Sequence, residues 1–226
     1  MALRKDQSIL LLAGLASLVL WLFPFFRPFL LPLVYYNTHI HELCHALAAV
    51  ATGGEVLRIL VFANGSGVTS VLGGSPWLLA SSGYVGSAIV GGMLIAGSRT
   101  EKGARRTLWI AAGFLLFSLL FFVRGETIGV VSAISWIAVL FACGQWLKQG
   151  KVVFAAQFLG IQQCITSAHA FLVLLQLTAF TNQHNDAVLL QDETGIPALA
   201  SSIVWLLMSA AIVFWAVRHA WSTKPK

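Results

Sequence analysis

Seven apolar runs, at roughly residues 9–26, 32–52, 76–97, 107–123, 127–147, 152–178 and 197–218, leave this 226-residue chain little choice of fold. A helix needs about 20 residues to cross a hydrocarbon core of about 30 Å, and most of the runs come close to that or exceed it. None shows the polar–apolar alternation that the strands of a membrane barrel require. With 58% hydrophobic and 10% charged residues, an ordinary soluble domain is excluded. The expected fold is an all-α polytopic membrane protein, with six or seven transmembrane helices in one integral domain over residues 1–226. The first run is the weakest, because Pro24, Arg27 and Pro28 cut it short. No small-residue cleavage site follows it, so it reads as a retained helix rather than a signal peptide.

Punctuation refines the runs. Pro32, Pro76 and Pro197 suit helix starts, and Thr107 is a candidate cap for the fourth span. Glu55 to Gly74 reads differently. Val56–Phe62 is strand-like, Asn64-Gly65-Ser66-Gly67 supplies a turn, and Val68–Leu72 can return, so a short β-hairpin over 55–74 is expected. Its free edge could hold an extended peptide by strand addition, or the hairpin could be a plain connection. In the third span, Gly83, Gly86, Ser87, Gly91 and Gly92 permit close helix approach, with the second span as the candidate partner.

The net charge of +6 does not point to nucleic acid. Most Lys and Arg residues lie at helix ends and in short loops, where topology and the lipid bilayer account for them. Seven crossings would place Arg4 and Lys5 with Arg58 and Arg124, opposite the loops holding Arg99, Lys102, Arg105, Arg106, Lys148 and Lys151. The positive-inside rule then puts both the N-terminus and the hairpin outside. Cys44, Cys143 and Cys164 lie inside apolar runs and demand no disulfide.

Inside the second run, Pro32 to Thr52, stands His41-Glu42-Leu43-Cys44-His45. Residues four apart share a helix face, so His41 and His45 can offer two imidazoles to one Zn²⁺. Glu42, on the adjoining face, is placed to move a proton between a water and a leaving amine. Ionisable groups near a membrane midplane are expensive and mark function by default. The alternative is a pair of interior histidines satisfied by neighbouring helices, with Glu42 pairing one of them. Cys44 points off the His41/His45 face and reads as packing.

A catalytic zinc site generally takes three protein ligands and keeps one position open. Asp186, in the third-ligand segment 181–196, could supply the third if that segment dips into the bundle. Equally, Asn185 or Asp186 could cap a short helix ending at Gly195. His169 in the sixth span competes, and His184 is a further candidate. Asn37, one turn before His41, and His39 could orient a ligand or the substrate backbone.

These residues resemble the M50 metallopeptidases, the site-2 protease group, and its compact M50B-like branch. The resemblance rests on His41-Glu42-Leu43-Cys44-His45-Ala46-Leu47-Ala48-Ala49 running into Thr52-Gly53-Gly54. It extends through Gly65-Ser66-Gly67-Val68-Thr69 and Ser82-Gly83-Tyr84-Val85-Gly86-Ser87, and then Asn185-Asp186-Ala187 with Thr194-Gly195-Ile196-Pro197-Ala198. It implies His41 and His45 as zinc ligands and Glu42 as catalytic acid/base. The group's third ligand is an Asp in an L-D-G-type motif; this chain lacks that motif, and Asn185-Asp186-Ala187 is nearest. The resemblance also implies a hairpin on the cytoplasmic side, against the charge count.

By this resemblance the chain is expected to hydrolyse a peptide bond in or near a transmembrane segment of another protein, in a prokaryotic plasma or inner membrane. Two other readings stay open. One is an M50-like protein without proteolysis, acting as a binding or chaperone module. The other is a transporter whose histidines relay ions, which the absence of repeated halves disfavours.

Overall fold

The computed structural model describes residues 3–180 and 185–222, apart from the side chains of Arg27, Thr178 and Ala179. The helices are α1 (Lys5–Leu22), α2 (Arg27–Ala51), α3 (Pro76–Gly97), α4 (Glu101–Phe121), α5 (Thr127–Trp146), α6 (Gly150–Phe180), α7 (Asp186–Thr194) and α8 (Ala198–Ser222). A 3-10 turn, Pro24–Phe26, joins α1 to α2, and strands β1 (Glu55–Val61) and β2 (Gly67–Leu72) form one antiparallel hairpin between α2 and α3. Among the described residues, six helices, α1, α3, α4, α5, α6 and α8, are long and apolar enough to cross a membrane. The chain is a helical polytopic membrane protein with a small sheet after its second helix.

Two expected boundaries are corrected. α2 begins at Arg27 with Pro28 in its first turn, so Pro32 lies inside the helix. The ring of Pro32 removes a single ladder bond, and its carbonyl accepts from Trp136 Nε1 at 2.8 Å. α4 is capped by Thr100, whose hydroxyl accepts from the Gly103 N–H at 3.1 Å. Thr107 lies within α4, with its hydroxyl 2.7 Å from that of Ser98.

The directions of the helices follow from their contacts. α1 and α6 run in the same sense, with Gly150 beside Ile9 and Trp21 Nε1 donating to Gln162 Oε1 at 3.0 Å. α3 opposes α6: Gly160 faces Leu94, and Tyr84 packs on Phe171. α2 opposes α3, since Ala49 meets Gly74 and His41 meets Gly83. α1 and α2 therefore point the same way and together cross once. Pro32, bonded to Trp136, enters beside the middle of α5 rather than at an end of the bundle.

This overturns the expected side of Arg4 and Lys5. The Arg4 guanidinium donates to the Trp221 carbonyl at 2.8 Å, Arg99 lies 3.5 Å from Asp6, and the Gln149 N–H donates to Glu101 at 3.1 Å. One end of the bundle thus gathers Arg4, Lys5, Arg99, Lys102, Arg105, Arg106, Lys148, Lys151 and Arg218 against Asp6 and Glu101. The opposite end holds Arg58 and Arg124 with Glu55, Glu126, Asp192 and Glu193. The positive-inside rule assigns the basic end to the cytoplasm and the hairpin and α7 to the far side. In whole cells, a membrane-impermeant maleimide is then expected to label Asp192→Cys, and to label Lys102→Cys only after the membrane is opened. The reverse pattern would restore the orientation implied by the resemblance.

The hairpin lies along α2. Its strands pair from Glu55↔Leu72 to Val61↔Gly67, with a bulge between Val56 and Arg58. Gly65 takes φ 86° in the turn, where Asn64 Oδ1 accepts from the Ser66 N–H at 3.0 Å. Tyr35 and Thr38 of α2 donate their hydroxyls to the carbonyls of Ala63 (2.7 Å) and Gly65 (2.6 Å). The outer edge of β1 is partly used: the Ile59 N–H donates to Phe122 O at 2.8 Å, and the Arg124 N–H donates to Ile59 O at 3.1 Å. Among the described residues, β2 carries the unpaired edge.

Candidate metal centre

His41 and His45 stand one turn apart on α2, and α7 brings Asp186 to them. The two Nε2 atoms are 3.0 Å apart, and Asp186 Oδ2 lies 3.4 Å from His41 Nε2 and 3.5 Å from His45 Nε2. Donors held 2.0–2.1 Å from a tetrahedral ion are about 3.3–3.4 Å from one another. Two imidazole nitrogens and a carboxylate oxygen at these separations form a donor set suited to a zinc ion, with a fourth position to spare. His45 Nδ1 is 2.7 Å from the Leu79 carbonyl, which must accept its proton. That bond fixes the tautomer and turns the lone pair of Nε2 toward the triad. The side chain of Asp186 is 27% exposed, so the centre opens beside α7.

The seat of α7 explains how a residue far along the chain arrives there. Asn185 caps the helix, with Oδ1 accepting from the N–H groups of Ala187 (3.0 Å) and Val188 (3.1 Å). Gly195 closes it in the left-handed region at φ 74°. Ala187 and Leu190, one turn apart, are buried with Tyr84, Phe171 and Trp205 from α3, α6 and α8. With Asn185 as the cap, Asp186 is left free to face the histidines. Asn185 is therefore the cap of α7, and Asp186 is the residue of this segment that lies beside the histidines.

α3 forms the wall behind the histidines. A Cβ on Gly83 would lie 2.5 Å from His41 Cε1, His41 Nε2 and His45 Nε2, so only glycine lets the helix pass this close. One turn along, Gly86 faces the Cys44 sulfur, confirming close approach of α3 to the second helix and a packing position for Cys44. The Tyr84 ring stands edge-on to His41, with centroids 4.6 Å apart. Gly83→Ala must displace an imidazole or α3. It is expected to weaken metal retention and to lower any hydrolysis about 100-fold, the scale of a misplacement near 1 Å. Gly113→Ala, with open space around its Cβ, is expected to change neither.

Glu42 is buried beside the triad without belonging to it. Its Oε2 accepts from the Thr69 hydroxyl of β2 at 2.7 Å, and a Cβ on Gly67 would press on its side chain. The hairpin therefore holds Glu42, a role that reading the segment as a connection or an edge did not contain. Thr69 carries no signal of its own in the sequence. Leu79, which acts through its backbone, has none either, whereas Gly83 was visible as one of a spaced set of small residues.

The remaining candidates separate. Asn37 sits one turn before His41, its Oδ1 buried with no hydrogen-bond partner among the described residues. His39 turns the other way, with Nε2 2.9 Å from Ser132 Oγ of α5, so it supports packing between helices rather than the triad. His169 lies against Trp21 of α1 at 5.3 Å between ring centroids and takes no part in the donor cluster. His184, with Thr181, Asn182 and Gln183, falls outside the described residues.

The described residues thus form a helical membrane bundle in which two histidines and an aspartate are placed so that they could hold a metal ion. The sequence profile of the Peptidase M50B-like family matches residues 10–216, and the chain belongs to that family. No curated protein and no solved structure matches it.

Proposed function

We propose that the chain is a zinc-dependent endopeptidase that cuts a peptide bond in or beside a transmembrane segment of another membrane protein. The convergence of Asp186 with His41 and His45 carries this reading. It supplies the third donor although the chain lacks an L-D-G-type motif. A zinc ion held by His41, His45 and Asp186 would supply Lewis acidity for activating water and polarising the scissile carbonyl.

The chain's own groups provide the rest. Glu42 takes a proton from the attacking water at its carboxylate as the C–O bond forms, then returns it to the amine nitrogen as the C–N bond breaks. The Thr69 hydroxyl holds that carboxylate in place. The unpaired edge of β2, on the strand that carries Thr69, is suited to accept an unwound substrate segment as a third strand. Burial within the bundle limits competing water.

In proteoliposomes with a single-span reporter, cleavage is expected to stop on treatment with a zinc chelator and to resume with stoichiometric zinc. Cleavage that persists in protein shown to be free of metal would sink the reading.

A further inference from the structure

α5 and α6 are consecutive, yet they barely touch, and α1 does not close the space between them. The result is a crevice of about 1090 Å³, open along one side and walled by Leu12, Trp136, Phe154 and Phe158. That volume slightly exceeds the roughly 300–1,000 Å³ of ordinary small-molecule pockets. Lys5, Lys148 and Lys151 stand at its mouth, all exposed.

We propose that the crevice binds one anionic phospholipid, with its acyl chains along the apolar wall and its phosphate at Lys5, Lys148 and Lys151. Three observations carry this. The wall comes from α1, α5 and α6, three helices long and apolar enough to cross a membrane, with Leu33 of α2, and offers water almost no polar partner, so hydrocarbon rather than water fills it. No ion pair within 4.0 Å takes any of the three ammonium groups among the described residues. The nearby Glu101 carboxylate is already engaged by Arg105 at 2.8 Å and by the Gln149 N–H at 3.1 Å.

The position agrees with the chemistry. The mouth lies at the basic end of the bundle, where headgroups sit, and α6 starts there at Gly150, adding the partial positive charge of a helix N-terminus. The occupant must combine an anion with a long apolar tail. A transmembrane helix has the second feature but gives the lysines no anion. The crevice is lined by α1, α5 and α6 together with Leu33 of α2, and none of His41, Glu42, His45 and Asp186 lines it, so this proposal stands apart from the proteolytic one.

The test is native mass spectrometry of the full chain in neutral detergent, with phosphatidylglycerol and phosphatidylcholine of the same acyl chains added in equal amounts. One bound phosphatidylglycerol per chain is expected, well in excess of phosphatidylcholine. Each lysine near an anionic headgroup contributes about fivefold, so Lys148→Ala with Lys151→Ala is expected to weaken phosphatidylglycerol binding about 25-fold and leave phosphatidylcholine unchanged. Ala155→Trp, which fills the crevice wall, is expected to remove the lipid with every lysine intact. Equal retention of both lipids, indifferent to the lysine substitutions, would mean ordinary surrounding lipid and overturn the proposal. So would a doubled mass that Ala155→Trp returns to one chain, which would mean a second copy occupies the crevice. Displacement of the phospholipid by inorganic phosphate alone would remove the role of the acyl chains and also overturn it. The lysine variant changes exposed side chains only, so it decides the matter even if Ala155→Trp fails to fold.

Discussion

Glu42→Gln is expected to lower hydrolysis by about 10²–10⁴-fold, the usual contribution of a general acid–base group, while metal content stays at that of the parent chain. The substitution is nearly isosteric. The amide oxygen of Gln can still accept from the Thr69 hydroxyl, which now bonds Glu42 Oε2 at 2.7 Å, so the hairpin keeps its seat on α2. What disappears is the capacity to take a proton. Because Glu42 lies outside the donor cluster of His41, His45 and Asp186, zinc retention should not respond. Two readouts on one protein thus separate two roles. Metal retained with cleavage lost identifies the proton carrier; equal cleavage by both chains would remove Glu42 from the mechanism and with it the proposed reaction. Loss of both would mean that the carboxylate supports the fold of the site.

Much of this site was legible in the sequence because helical spacing is a local property. The His41/His45 pair needs only one turn of α2, and the small-residue pattern of α3 already suggested an approach that Gly83 and Gly86 make possible. The hairpin was legible for the same reason, since Asn64-Gly65 writes its turn in adjacent residues. The topology was not. Whether α2 crosses by itself depends on Pro32 meeting Trp136 beside the middle of α5, a contact between residues 104 positions apart. Counting apolar runs treats every run as a crossing, and so it misplaced Arg4 and Lys5.

The roles of side chains divide along the same line. His39 and Asn37 are both close to the motif in sequence, but which one faces the triad depends on what packs on each side of α2. Ser132 of α5 claims His39. Thr69 became visible only through the alignment of β2 with α2, because strand alternation leaves two faces and a shift of one residue exchanges them. Asp186 was found as a candidate by its residue type, yet its arrival depends on Ala187 and Leu190 fitting against three distant helices.

That dependence makes Asp186→Ala the most informative change at the centre. Removing one of three donors is expected to weaken zinc affinity by more than about 100-fold, beyond the 10–100-fold typical of a group that merely supports a ligand. Asp192→Ala, exposed on the same helix, serves as the control and should retain the metal. Asn185→Ala removes the cap and costs about 1 kcal/mol of helix stability, so it should loosen α7 and weaken the metal only in part. The order Asp186→Ala, then Asn185→Ala, then Asp192→Ala is what a ligand carried on a capped helix produces. If Asp186 served only the charge at the start of α7, its loss would cost no more than the cap does, and the first two variants would bind zinc alike. His169→Ala completes the comparison: a chain that loses zinc there but keeps it after Asp186→Ala would move the third donor to α6. The packing of His169 on Trp21 gives it no such reach, so zinc content is expected to stay unchanged in that variant.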